Sequence, residues 1–262
     1  MIYLQTEGGL ANRLRSIASA GKLAAELGSK LTVIWNADAA LNCRFSDLFT
    51  ISEGDIYIHE YQTNRFHSMI NKIIGKFVKS KYIDINNEDN RAKFFSDCRN
   101  DPNKDYYIAS YSNFYDAHDY DFIRPVSSID MRVSELLGSA HRSNLVGVQI
   151  RRTDNAQSIA NSPTEMFIEY MQQELQTNPQ TVFYLATDDM KVRSEIIRLF
   201  PDKVIYNQAE SVSRRTKSGM IDATIDFISL SRCSKIYGSY WSSFCEVASD
   251  IGKNELVVVK KI

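Results

Sequence analysis

Two adjacent arginines and an acid, Arg151-Arg152-Thr153-Asp154, stand where the apolar run Leu145 to Ile150 gives out. That run has the length of a buried strand, and open α/β sheets bind ligands beyond the carboxyl ends of their strands. A guanidinium stays charged at every relevant pH and matches phosphate oxygens in pairs, so Arg151 or Arg152 suits a diphosphate. A surface ion pair with Asp154 accounts for the same residues more plainly. The turn Gly8-Gly9-Leu10-Ala11-Asn12-Arg13 opens a helix after Ile2-Tyr3-Leu4, a geometry that offers backbone N–H groups to an anion or a sugar hydroxyl. It lacks the third glycine of the dinucleotide fingerprint and the Lys-Ser/Thr of a P-loop. Ala186-Thr187-Asp188-Asp189 ends another apolar strand with two acids that either cap the next helix or face a ligand. Ser239-Tyr240-Trp241-Ser242-Ser243-Phe244 lies between strand and helix, where hydroxyls serve as an N-cap or meet an anion.

These residues need a scaffold, and the periodicity supplies one. Leu14, Ile17, Ala18, Leu23, Ala24 and Leu27 recur at helical spacing, Gly28 ends that helix, and Leu31 to Trp35 is a β-branched run of strand length. Strand, glycine turn, helix and strand make a βαβ unit and hence a parallel sheet. Strands at 145–150, 182–186, 203–206, 235–238 and 256–259 alternate with helices at 163–175, 191–200, 221–232 and 243–251. Two α/β units follow, expected at residues 1–137 and 138–262 and joined near residues 127–143. Residues 62–81 carry Arg65, Lys72, Lys76, Lys79 and Lys81 without an acid, beside Met69, Ile70, Ile73, Ile74, Phe77 and Val78. Such a segment either packs as a helix with a solvated basic face or touches an anionic membrane surface.

Composition narrows the classes. The 262 residues are 44% hydrophobic and 24% charged, as in an ordinary globular protein, which excludes disordered, collagenous and disulfide-scaffold chains. Lys and Arg (31) nearly balance Asp and Glu (32), so no global field draws the chain to nucleic acid. Cys43, Cys98, Cys233 and Cys245 and the scattered histidines show no metal-ligand spacing. No segment reaches the roughly 18 to 20 apolar residues of a membrane span, and no signal peptide is visible, so a cytoplasmic location with reduced thiols is expected.

The order of these motifs resembles the fucosyltransferase superfamily of α1,2- and α1,6-fucosyltransferases, the rhizobial nodulation enzyme and the protein O-fucosyltransferases. Gly8 to Leu14 is similar to its N-terminal glycine motif, with Ala11 where glycine is usual. Tyr107 to Tyr111, Asn113 to Tyr115 and Ile123-Arg124 resemble an aromatic stretch of the bacterial α1,2-type enzymes. Arg151 to Asp154 is similar to the H-x-R-R-x-D motif, with Gln149 in place of the histidine, and Phe183 to Asp189 to an α1,6-type strand. Asp226 through Ser231 to Ser242-Ser243 and Val247-Ala248 resembles a third motif. Residues 36–104 are unmatched, and they are where acceptor recognition is expected.

The resemblance implies a GT-B arrangement of two Rossmann-like domains, with a GDP-sugar donor in the C-terminal one, a carbohydrate acceptor in the N-terminal one, and no metal or other cofactor. By motif position Arg151 or Arg152 holds the β-phosphate, Asp226 the guanine edge, and Ser242 and Ser243 the phosphates. Asp188 and Asp189 lie near the donor, as do Gly8, Gly9, Asn12 and Arg13. Inverting transfer also requires a base for the acceptor hydroxyl. Glu7 and Asp154 are the candidates; Glu7 is favoured by analogy with protein O-fucosyltransferases, and Asp154 alternatively orients Arg151. Two rival readings stand beside this one. Asp119-Tyr120-Asp121 is a D-x-D pattern of the kind metal-dependent transferases use, and the aromatic run Tyr106 to Phe122 would equally serve a non-catalytic sugar-binding module.

Overall fold

The computed structural model describes residues 1–52, 54–62, 78, 80–138, 140–209 and 213–261. They form two compact α/β units, Met1–Val126 with Ser213–Met220, and Ser127–Val212 with Ile221–Ile262.

In the first unit β1 (Ile2–Thr6), β2 (Leu31–Ala37), β4 (Ile56–Gln62), β5 (Ser80–Tyr82) and β6 (Tyr106–Ser110) form a parallel sheet in the order β4-β2-β1-β6-β5. Every residue of β2 and β6 is buried, as expected of parallel strands covered on both faces. Helix α1 (Leu10–Glu26) follows β1 and turns Leu14, Ile17, Ala20 and Leu23 into the core. It ends at Gly28, whose φ of 59° is the left-handed conformation a C-cap glycine supplies. Helix α2 (Glu88–Asn100) is capped by Asn87, which accepts from the N–H groups of Asp89 and Asn90. A short antiparallel pair, β3 (Phe49–Ile51) and β7 (Ile123–Pro125), stands apart from the main sheet.

The second unit begins with α3 (Ser127–Leu137) and continues through β8 (Leu145–Ile150), α4 (Ala156–Asn161), α5 (Thr164–Thr177), β9 (Val182–Thr187), α6 (Met190–Leu199), β10 (Val204–Tyr206), α7 (Lys217–Ser231, which enters this unit at Ile221), β11 (Lys235–Ser239), α8 (Ser243–Gly252) and β12 (Glu255–Val259). Its strands are all parallel, in the order β10-β9-β8-β11-β12. Val146, Val148, Phe167, Met171, Phe183, Leu185 and Ile196 form one core between sheet and helices. Gly238 lets α8 close on β11: a Cβ there would lie 2.5 Å from Cys245 Sγ. All four cysteines are buried and unbridged.

The units divide before α3 rather than after it, because α3 belongs with the second. Arg232 ion-pairs with Asp130 and donates to Ser134 at 3.0 Å. The expected single cut at 137/138 also misses a return of the chain. Ser213–Met220 joins the first unit, where Asn42 binds the carbonyls of Arg214 and Arg215 at 3.1 and 2.8 Å and Lys217 pairs with Asp47 at 2.7 Å. The basic helix expected within 62–81 lies largely outside the described residues; Lys81 itself sits in β5. No helix among the described residues is long and apolar enough to cross a membrane.

Candidate functional site

Strand order in the second sheet reverses at β8, so the gap between the carboxyl ends of β8 and β11 is the switch point where such sheets bind ligands. The loops leaving these two strands are sewn together. Ser239 donates its hydroxyl to the Gln149 carbonyl at 3.1 Å and accepts the N–H of Arg151 at 3.0 Å. Asn155 Nδ2 donates to the Trp241 carbonyl at 3.0 Å, the Ser158 hydroxyl to that of Tyr240 at 2.6 Å, and the Tyr240 N–H to Ser162 Oγ at 2.8 Å. Gln149 is nearly buried, and its Oε1 faces the Ser239 N–H at 3.4 Å. The residue that departs from the family motif thus braces the strand ends.

The two arginines have different surroundings. Arg152 donates to the Arg151 carbonyl at 2.8 Å, to the Ser162 carbonyl at 2.7 Å and twice to Thr164 Oγ1, at 3.2 and 3.0 Å. Burial holds its pKa below the ordinary arginine value. Its guanidinium is committed to the protein. Arg151 spends only Nε, on Asp154 at 2.8 Å; its two Nη nitrogens have no hydrogen-bond partner among the described residues. The Asp154 carboxylate thus lies against the Arg151 side chain.

The acids after β9 are also committed. Asp188 accepts the N–H groups of Arg152 and Thr153 at 2.7 and 3.2 Å and the Thr153 hydroxyl at 2.6 Å. Asp189 caps α6, accepting from Lys191 and Val192 at 2.7 and 3.3 Å. Asp188 shapes the arginine loop, a role outside the two the sequence offers, whereas Asp189 caps the start of a helix, the commoner of those two. Ser242 is the N-cap of α8, yet its hydroxyl makes no cap bond; Oγ is buried and has no hydrogen-bond partner among the described residues. Ser243 begins the helix beside it. The preceding Trp241 is 65% exposed and held at φ 57°, a conformation rare for such a residue. Asp226, on α7, stands against the middle of β9, where the buried Tyr184 hydroxyl donates to its Oδ1 at 2.7 Å. Burial pushes the Asp226 carboxyl up to about 7, against the Tyr184 bond and the Arg193 charge, which lower it; Asp222 adds to the rise.

In the first sheet the order reverses at β1, and Glu7, Gly8 and Gly9 follow that strand. Gly8 has φ 76°, and a Cβ there would sit 3.1 Å from Asn12 Nδ2, so the turn requires glycine. Gly9 caps α1 without a side chain, and a Cβ on it would lie 3.6 Å from Arg214 Nη1. Arg214 thus reaches the amino end of α1, a placement the sequence reading missed because the residue is remote in the chain. Arg13, expected as a donor contact, is not available for one. It is fully buried, donates to the Gly8 carbonyl at 2.8 Å and the Asn36 carbonyl, pairs with Asp38 at 2.8 Å and lies 4.9 Å over the Trp35 ring. It is the strut that shapes the glycine turn. The Glu7 carboxylate is partly buried and has no hydrogen-bond partner among the described residues; burial, then Asp84, and more weakly Asp38, raise its pKa, while Arg13 lowers it. Asp119 is spent on a local turn, accepting the Asp121 N–H at 2.8 Å. Of the aromatic run, Tyr106, Tyr107, Phe114 and Tyr120 are core, whereas Tyr111 is 44% exposed.

No protein-family model matches the chain, and no curated protein matches it. Among solved structures it is similar to the fucosyltransferase NodZ from Bradyrhizobium, with TM-score 0.64 and 17% identity over 94% of this chain and 90% of that one. It is similar to POFUT1 in complex with GDP-fucose, with TM-score 0.60 and 9% identity over 98% and 97% of the two chains. A mutant of Arabidopsis thaliana FUT1 in complex with GDP gives TM-score 0.65 and 13% identity over 98% of this chain and 69% of that one. The chain has the GT-B-like α/β fold of these proteins.

Proposed function

We propose that this chain is an inverting, metal-independent fucosyltransferase that moves L-fucose from GDP-fucose to a hydroxyl of a carbohydrate acceptor. Support comes from a fold shared with NodZ, POFUT1 and FUT1, whose structures include complexes with GDP or GDP-fucose. The observation that carries the reading is Arg151: it is fixed at the switch point by Asp154 and Ser239, with both Nη nitrogens left to meet an anion.

In this reading the bond from the sugar's anomeric carbon to the β-phosphate oxygen breaks, and its electron pair leaves with GDP. Arg151, the amino end of α8 and the unpartnered Ser242 hydroxyl stabilise that departing charge. Arg152 and Asp188 contribute indirectly, by holding the loop. Asp226 accepts from the guanine N–H groups. The acceptor oxygen attacks the anomeric carbon from the opposite face, which inverts it, and its proton passes to a carboxylate. Glu7 fits that role better than Asp154. A base near neutral pH needs a raised pKa, and Glu7 has one, whereas Asp154 is paired with Arg151.

Donor screening tests the proposal. GDP-fucose, GDP-mannose and UDP-sugars are each assayed for slow hydrolysis with EDTA present. Turnover of GDP-fucose above the others is expected; a requirement for divalent metal, or preference for a UDP-sugar, would contradict it.

A further inference from the structure

Glu7 stands on a hydrogen-bonded edge that crosses three strands. Its N–H donates to the carbonyl of Ser110, at the end of β6, at 3.0 Å. Ser110 is fully buried and turns its hydroxyl onto Asn86 Oδ1 at 3.1 Å; the Tyr111 N–H reaches the same oxygen at 3.4 Å. Asn86 Nδ2 then donates to Asp84 Oδ1 at 3.0 Å. Asp84 follows β5, the neighbour of β6, so the chain from Asp84 to Glu7 runs along the carboxyl ends of β5, β6 and β1.

Asp84 is held there in an unusual conformation. Its φ is 63°, in the left-handed region that non-glycine residues seldom occupy. Asn90 Nδ2 reaches its carbonyl at 3.3 Å. Such conformations persist where the surroundings over-determine them, and they concentrate at functional sites. The charged and titratable groups facing Glu7 are Asp84, Asp38, Arg13 and the Tyr107 hydroxyl. Asp38 is largely offset by its pair with Arg13. Asp84 has no cationic partner among the described residues, and its charge is one of those that raise the Glu7 pKa.

We infer that Asp84 is a positioning residue for Glu7: through Asn86 and Ser110 it fixes the sheet edge that carries Glu7, and its own charge makes Glu7 a stronger proton acceptor. The inference rests on the reading of Glu7 as the base. Burial and the Asp84 charge, in that order, raise the Glu7 pKa, which agrees with the geometry.

Carboxyl-carbon NMR titration of the full chain tests it, with the Glu7 signal assigned by its loss in Glu7→Gln. Asp84→Asn keeps an oxygen for Asn86 and tolerates left-handed backbone, so it removes little but the charge. Glu7 is expected to titrate at lower pH in that variant, with the difference from wild type shrinking in 1 M salt, where the Debye length falls to about 3 Å. The acid limb of the GDP-fucose turnover profile moves to lower pH with it, a displacement that a merely structural role would not produce. Asp84→Gly, which also suits a left-handed position, is the second variant and shows the same direction. An unmoved Glu7 titration in both variants overturns the inference. If Glu7→Gln instead leaves transfer intact, the reading of Glu7 as base fails, whatever the titration shows.

Discussion

The Tyr184 hydroxyl donates to Asp226 Oδ1 at 2.7 Å, joining the middle of β9 to α7. Asp226 is the residue proposed to read the guanine edge, and burial has raised it to about 7. Guanine N–H groups bind the ionised carboxylate, so binding lowers that pKa and expels a proton. GDP binding near pH 7 is therefore expected to release protons, and affinity to rise as pH passes upward through about 7. Calorimetry in buffers of different ionisation enthalpy measures the release directly. Asp226→Asn should abolish it and weaken GDP more than UDP; equal loss for both nucleotides would make Asp226 structural.

Arg152 should matter to stability more than to chemistry. Truncation removes hydrogen bonds to Arg151, Ser162 and Thr164, and a loss of about 2 to 3 kcal/mol is expected for Arg152→Ala. Denaturant unfolding of Arg152→Ala and Arg151→Ala compares the two. Equal stability in both variants would contradict the division of roles.

Removing a general base typically lowers a rate by a factor of roughly 100 to 10,000. Glu7→Gln is expected to keep donor affinity while transfer to the acceptor falls by a factor in that range. Asp154→Asn should weaken donor binding instead, since it releases Arg151 from its partner at 2.8 Å. The reverse pattern in steady-state kinetics would make Asp154 the base.

Acid stability has an identifiable contributor in Glu174, which pairs with Lys235 at 2.7 Å and accepts from the Tyr237 hydroxyl at 2.5 Å. Burial raises its pKa, but the Lys235 and Tyr237 bonds outweigh that and leave it below the ordinary glutamate value. A depressed carboxylate contributes stability that is present above the unfolded pKa of about 4.3 and fades as pH falls through the folded value. Unfolding measured between pH 3 and 7 should show a shallower acid decline in Glu174→Gln than in wild type. Parallel curves would remove Glu174 from the account.

Much of the second unit was legible because its strands are mostly apolar runs alternating with helices; β8 occupies Leu145–Ile150, as the pattern indicates. The first unit was less so. β4, β5 and β6 lie in or beside the unmatched stretch, where β4 mixes Ile56 and Ile58 with Tyr57, His59, Glu60 and Tyr61, and β5 is only Ser80–Tyr82. Most candidate site residues were proposed where a motif ends a strand. What spacing could not show is which polar groups the protein itself consumes. Arg13 and Arg152 look like anion ligands in one dimension and prove to be struts once Asp38, Ser162 and Thr164 are brought to them. Asp84 and Arg214 carried no motif, and only the fold sets them beside Glu7 and Gly9.

The central claim is that Arg151 holds the diphosphate, and the most direct measurement is GDP affinity by calorimetry in wild type, Arg151→Ala and Arg151→Lys. A charge-assisted contact of this kind contributes roughly 1.5 to 3 kcal/mol, about one to two decades in affinity. Arg151→Ala is expected to lose that much, and Arg151→Lys to recover only part of it, because an ammonium cannot reproduce the guanidinium fork. Unchanged GDP affinity in a folded Arg151→Ala protein would contradict the account.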